Sequence, residues 1–349
     1  MKKLLNTLYV SRQGAYMGHE GQCVYLKLRE GEQEKSKEFK FPIHTLSSVV
    51  VFGQVSLSPS LMSFCASHGV GITYLSENGR FLARVQGPIS GNVLLRRAQY
   101  KAAEDGDSSL RLASAIVAAK VANSRTVLRR ARRDHPDYPG NKEMEQAIAS
   151  LGELLTGLSR GVSDMNSLRG WEGEAGRIYF SVFDYLLLPE QSVFRFINRN
   201  RRPPLDRVNA LLSFVYTLLA HDVVSALETV GLDPQMGFLH QLRPGRPSLA
   251  LDLMEEMRPL WADRLVINLI NRRELKGENF EVTESGAVHM DNGARKKVLT
   301  AYQEKKKDEL THPFLEEKIP LGLLPHVSAQ LLARFLRGDY DAYPPFFWR

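Results

Sequence analysis

Cysteine is scarce: only Cys23 and Cys65 occur in 349 residues. Two thiols exclude a disulfide framework and a four-cysteine zinc ribbon, and they suit a reducing cytosol. A secretion signal is lacking as well. The stretch MKKLLNTLYV at the N-terminus starts basic, but its apolar part is too short and no small-residue cleavage site follows. Nor is there a clean membrane anchor. Residues 208–227 approach spanning length, yet Asn209, His221 and Asp222 interrupt them. They read as a buried core helix, so no membrane partner is expected and the protein is placed in the cytoplasm. No internal repeat or low-complexity tract appears, which argues against a solenoid.

Positive charge, by contrast, is in excess. Lys and Arg number 46 against 39 Asp and Glu, for a net charge of +7 and a pI near 9.3. That balance favours a polyanionic partner. The length is enough for a sizeable core and suits two domains.

Residues 1–87 read as a small β-rich domain. Short runs at Cys23–Leu28, Ser48–Val51 and Gly71–Leu75 are separated by turn residues. Asn78-Gly79 between two runs predicts a hairpin, because both residues tolerate positive φ. A short helix is expected after Ser58-Pro59, with Gly69 past its end. GPISGN at 87–92 breaks the pattern, and 88–107 reads as a linker region. Residues 108–349 read as a larger, all-α catalytic domain, so the fold class is α+β. The periodicity predicts helices near 92–103, 108–133, 141–158, 164–187, 207–230, 248–272, 292–306 and 323–337. A hairpin or loop covers 278–291.

Two segments carry candidate chemistry. In 168–180, Glu172 and Glu174 border a helical stripe of Leu168, Trp171, Ala175 and Ile178 on opposite sides. Either one alone reads as a surface glutamate, and geometry does not choose between them. In 237–259, Asp252 and Glu255 are three apart and share a helix face, with Glu256 close by. Like charges at this spacing call for a compensating cation, which Arg258 could supply. Pro259 cannot donate to the Glu255 carbonyl, so a kink is expected there. His240 sits just upstream among Gly237, Pro244, Gly245 and Pro247. Carboxylates with one imidazole suit a hard divalent cation, Mg²⁺ or Mn²⁺. Such a site in a basic chain points to phosphodiester chemistry on nucleic acid.

Arginines cluster twice. Arg125, Arg129, Arg130, Arg132 and Arg133 crowd one helix end, more than capping requires. Arg195, Arg199, Arg201, Arg202 and Arg207 lie between the two candidate segments. From these, Arg129, Arg130, Arg132, Arg133, Arg195, Arg199, Arg201 and Arg202 are expected to contact DNA phosphates. The tail at 340–349, YDAYPPFFWR, either packs on its own domain or docks a partner.

These segments resemble the universal CRISPR-associated integrase family, the endonuclease subunit of spacer acquisition, in its type I-C-like branch. Glu172-Gly173 with Tyr179-Phe180, Gly237-Phe238-Leu239-His240, and Leu251-Asp252-Leu253-Met254-Glu255 with Arg258-Pro259 resemble its three metal motifs. Arg201-Arg202-Pro203-Pro204 and Val208-Asn209-Ala210-Leu211-Leu212 resemble a further signature. The N-terminal match is looser, through Phe41-Pro42-Ile43, Gly71-Ile72 and Asn92-Val93. The resemblance implies Glu172, His240 and Glu255 as metal ligands, with Asp252 orienting the catalytic site. Some family members carry aspartate where this chain has Glu255.

The resemblance also implies a metal-dependent DNA endonuclease and integrase. It would join 3′-hydroxyl ends of foreign DNA to the repeat array by transesterification. The implied partners are double-stranded DNA with 3′ overhangs, CRISPR repeat DNA, a second copy of the chain and a small CRISPR-associated partner dimer. An end-processing nuclease would assist. Two rival readings remain: a noncatalytic DNA-binding scaffold, and a metal-dependent phosphoesterase of a small substrate.

Overall fold

β-Branched residues build the N-terminal strands, most densely in LSSVVVF at 46–52, where side chains that stiffen χ1 favour the pleated backbone. In the computed structural model, described over residues 6–29, 36–85, 87, 92–136, 140–188 and 193–348, the chain divides into two compact units, Met1–Ser90 and Gly91–Arg349. Most of the turn at 87–92 lies outside the described residues.

The first unit holds β1 (Asn6–Val10), β2 (Tyr16–Glu20), β3 (Cys23–Arg29), β4 (Ser36–Pro42), β5 (Leu46–Phe52), β6 (Ser56–Leu57), α1 (Pro59–Ser67), β7 (Gly71–Leu75) and β8 (Phe81–Val85). They form two four-stranded sheets, ordered β1-β5-β7-β8 and β4-β3-β2-β6. Val10, Val49, Val51 and Ile72 of the first sheet, Met17 and Val24 of the second, and Leu61 of α1 share one core. Cys65 lies in that core, and burial pushes its thiol up to about 11, so it acts as a packing residue. Ser58 caps α1 by accepting from Leu61 N–H, and Gly69 beyond it takes φ +70°. In the β7–β8 hairpin only Gly79 adopts positive φ (+83°). Ser76 N–H donates to Arg80 O at 2.7 Å, closing a longer turn than the two-residue one expected.

The second unit is mainly helical: α2 (Val93–Glu104), α3 (Gly106–Asp134), α4 (Asn141–Ser159), α5 (Met165–Ser181), α6 (Arg207–Val230), α7 (Ser248–Met254), α8 (Arg264–Asn271), α9 (Asn292–Lys305) and α10 (Leu324–Leu336). Asn92, Asp105, Asp164, Asp206 and Asp291 cap five of these helices by accepting a backbone N–H. The stretch 88–107, read as a linker, is helical in α2, and Gln99 of α2 donates to Asp233 O and Met236 O at 2.8 Å each. Helix α6 is long and apolar enough to cross a membrane. Its Val208, Leu211, Leu212, Val215, Leu218, Leu219 and Val223 are nonetheless buried in this unit, and it packs on α10.

The expectation of an all-α second domain is corrected by two antiparallel hairpins. One pairs β9 (Phe280–Val282) with β10 (Val288–Met290), inside the anticipated 278–291 hairpin. The other pairs β11 (Glu309–Thr311) with β12 (Lys318–Pro320) and was missed. Three-residue strands are too short to show an alternating pattern. The helix expected over 248–272 is broken in three. Helix α7 stops at Met254, Arg258–Asp263 winds as a π-helix, and α8 follows. Pro259 lacks the N–H that would bond the Glu255 carbonyl, which accounts for the widened turn.

Candidate metal and DNA site

Asp252 organises the site. It is fully buried in α7, and both its oxygens accept hydrogen bonds from the loop after α6. Phe238 N–H and Leu239 N–H donate to Oδ2 at 2.6 and 3.0 Å, and His240 N–H donates to Oδ1 at 2.9 Å. The His240 ring places Nδ1 2.6 Å from Oδ1. Four donors compensate the desolvation of one carboxylate. The loop comes this close because residue 237 is glycine: a Cβ there would lie 2.8 Å from Asp252 Oδ2 and 2.7 Å from the Ser248 carbonyl carbon. Arg169 of α5 donates from Nε to Leu239 O at 2.9 Å and ties the loop to the helix that bears Glu172. The tautomer that donates Nδ1–H to Asp252 leaves Nε2 as the acceptor on the Glu255 side.

Glu255 follows one residue after α7 ends and is 1 % exposed. Its Oε1 is 3.9 Å from His240 Nε2 and 2.5 Å from Arg258 Nη1. Its Oε2 is 2.8 Å from Lys120 Nζ. Burial pushes the Glu255 carboxyl up, but Arg258 and Lys120 outweigh it and bring it down to about 2. Glu172 also meets Lys120 Nζ through Oε1. Burial lowers the Lys120 ammonium, and Glu255 and Glu172 overcome that, leaving a net upward shift.

Thus Glu172, His240, Asp252 and Glu255 stand together, and Glu174 does not. Glu174 faces outward in a two-pronged pair with Arg177, at 2.8 and 2.6 Å. Asp252 has no oxygen left for a cation. Glu172, Glu255 and His240 Nε2 are two carboxylates and an imidazole, a donor set whose chemistry fits a hard divalent ion. Among the described residues no three acidic, His or Cys side chains stand as a ready-made cage. Lys120 lies between the two carboxylates instead.

The arginines divide. Arg201 and Arg202 are exposed. Arg195 is exposed and pairs with Asp184 at 3.1 Å. Arg199 is held within the unit: its guanidinium donates to Asn209 Oδ1 and Asn200 O at 2.5 Å each and to Ser213 Oγ at 3.1 Å. Arg130 lies 3.8 Å from the centroid of a Trp348 ring. Arg132 and Arg133 stay exposed while pairing with Glu145 and Asp134, and Arg129 is exposed. Sequence reasoning missed Lys120, Arg169, Arg243 and Arg246. Burial lowers the Arg246 guanidinium, and repulsion from Arg243, Arg201 and Arg202 adds to it. The loop after His240 therefore joins Arg201 and Arg202 in one positive cluster, a grouping that some 40 residues of intervening chain conceal.

The tail packs on its own unit. Tyr343 and Phe346 are buried, and Glu256 accepts from Tyr343 Oη at 2.8 Å and Phe346 N–H at 2.9 Å. Asn123 of α3 donates to Glu256 O and Phe346 O and accepts from Trp348 N–H. Arg264 lies 4.7 Å from the Trp348 ring centroid, so two guanidiniums hold the indole. Burial pushes the Glu256 carboxyl up to about 8, against the bonds from Phe346 and Tyr343.

Residues 8–304 match the family model described as CRISPR associated protein Cas1. A "CRISPR-associated endonuclease Cas1 1" of Chlorobaculum tepidum is 50 % identical over 349 residues, covering all of both chains. A "CRISPR-associated endonuclease Cas1 2" of Rhodospirillum rubrum is 52 % identical over 352 residues, again covering all of both. A CAS1 protein from Thermotoga maritima shares the fold, with a TM-score of 0.79, 23 % identity, and 97 % of this chain and 99 % of that one covered. With its four clustered site residues and a family match over most of its length, this chain belongs to the CRISPR associated protein Cas1 family.

Proposed function

We propose that this protein is a metal-dependent DNA endonuclease and integrase of CRISPR adaptation, and that Glu172, His240 and Glu255 hold its Mg²⁺ or Mn²⁺. One observation carries this reading: Asp252 anchors the His240 loop and holds the ring with Nε2 3.9 Å from Glu255 Oε1, while Lys120 Nζ contacts both Glu255 and Glu172. A cation bound there would neutralise charge on the attacked phosphate and favour the attacking hydroxyl as a nucleophile. In strand transfer the 3′-oxygen of the incoming end bonds to phosphorus. The bond from phosphorus to the 3′-oxygen of the repeat breaks, one proton leaves the attacker, and one reaches the departing oxygen. One phosphodiester replaces another, so no ATP is needed. Water in place of the hydroxyl gives cleavage. Within the protein, Asp252 fixes the His240 ring, Arg169 steadies its loop, and Arg258 offsets the buried Glu255 charge.

In this reading the substrates are 3′-overhang duplexes and repeat DNA, in the cytoplasm. The chain acts as a homodimer with a small CRISPR-associated partner dimer, and an end-trimming nuclease assists. The test is incubation of the chain and its partner with 3′-overhang DNA and a repeat-bearing plasmid, with and without chelator. Chelator should stop joining. Glu174→Ala should keep most of the activity, since its partner is Arg177 and not the site. A dead Glu174→Ala with an active Glu172→Ala would refute the ligand set.

Phosphate grip is assigned to the exposed Arg129, Arg132, Arg133, Arg195, Arg201 and Arg202, joined by Arg243 and Arg246. Replacing Arg201, Arg202 and Arg243 by alanine should weaken binding to unrelated DNA sequences about equally. The salt dependence should flatten by roughly 0.7–0.9 in slope per lost phosphate contact. An unchanged slope in the triple variant would assign the grip elsewhere.

A further inference from the structure

We propose that Lys120 is an internal counter-cation that competes with the divalent metal for the Glu172–Glu255 carboxylate pair. The inference rests on the metal-site reading above. Lys120 Nζ contacts both carboxylates, Glu172 through Oε1 and Glu255 through Oε2 at 2.8 Å. Its side chain is 13 % exposed and that of Glu255 1 %. A carboxylate as buried as Glu255, with the half-buried Glu172 beside it, needs compensating positive charge, because removing one partner from a buried pair leaves an uncompensated ion. A metal ion held by these two carboxylates would need the same oxygens that the ammonium contacts, so the two cations would exclude one another.

The neighbouring positive group behaves differently. Arg258 is bound to the other oxygen of Glu255, is placed three residues away on the same segment, and carries a rigid planar head. It can stay when metal arrives. Lys120 comes from a separate helix, α3, on a flexible four-carbon stem, and can swing out. The lysine thus keeps the site assembled without metal and lowers the apparent metal affinity.

The test measures Mn²⁺ binding by the full-length protein, from the electron paramagnetic resonance signal of free Mn²⁺. Wild type, Lys120→Met, Lys120→Gln and Glu172→Gln are compared, with melting temperatures read with and without Mn²⁺. Both lysine variants should bind Mn²⁺ about tenfold more tightly or better, a shift of ~1.4 kcal/mol or more. Both should melt earlier than wild type without metal and recover with it. The glutamine variant supplies the affinity measurement if the methionine variant does not fold. A lysine serving the fold alone would lower affinity when replaced. Equal or weaker binding by the lysine variants, with Mn²⁺ still lost in Glu172→Gln, overturns the competition and leaves the metal site standing. Wild-type binding that Glu172→Gln does not reduce overturns the metal site itself, and the competition with it.

Discussion

Replacing His240 by alanine should reduce strand transfer to the uncatalysed background while leaving DNA affinity close to that of the wild type. The imidazole supplies the only nitrogen ligand of the proposed set, and the positive cluster that meets phosphate is separate from it. Asp252→Asn tests the same atom from behind. An amide turned with its NH₂ towards Nδ1 would reverse the ring tautomer, so that Nε2 carries the proton and cannot bind a cation. Loss of such a supporting carboxylate costs ~10–100-fold in metal affinity or activity. Strand-transfer rates and filter binding on each variant decide the matter. Joining by His240→Ala at near the wild-type rate would remove His240 from the chemistry.

Truncation after Asp339 should destabilise the catalytic unit severely. It removes Tyr343 and Phe346, 4 % and 1 % exposed, and loss of a large buried aromatic costs ~3–5 kcal/mol. It also strips the Glu256 carboxyl of Tyr343 and Phe346 and Asn123 of its Phe346 and Trp348 partners, leaving buried polar groups unsatisfied at ~1–3 kcal/mol each. Thermal unfolding by circular dichroism should show a large fall in melting temperature or no folded chain. Trp348→Ala is the milder probe, since it removes only the ring held by Arg130 and Arg264. If the truncated chain melts as wild type and fails only to bind its partner, the tail is an intermolecular anchor.

Much of this architecture was legible in advance because it is local. Capping residues, the 3.6-residue period and Pro259 marked most helix ends and the break after Glu255 to within a few residues. Three-residue strands such as Glu309–Thr311 left no periodic trace. At the site, spacing alone placed Asp252 beside Glu255. It could not show that Asp252 would be turned inward, with both oxygens occupied by a loop a dozen residues earlier. The choice between Glu172 and Glu174 was likewise tertiary: one meets Lys120 of another helix, the other a neighbour on its own. Lys120 is 52 residues from Glu172 and sits in an ordinary helical pattern, so nothing marked it. Charge density marked Arg199 and Arg130, but it could not show that within the unit they meet an amide, Asn209, and an indole, Trp348.

Adjacent Glu255 and Glu256 face opposite surroundings, and this sets how the unit answers to acid and base. The Glu256 carboxyl keeps its proton to about pH 8 in the folded chain, against an ordinary value of 4.5. The folded state therefore binds the extra proton. The stability Glu256 contributes is complete below pH 4.5 and drains away as pH rises through 8. Glu255, held down to about 2, runs the other way: its contribution is complete above pH 4.5 and is lost as pH falls towards 2. Melting temperatures measured from pH 3 to 9 should thus fall at both extremes, and Glu256→Gln should flatten the alkaline limb alone. Two consecutive carboxyls give the enzyme a mildly acidic optimum of stability, set apart from whatever pH suits its chemistry.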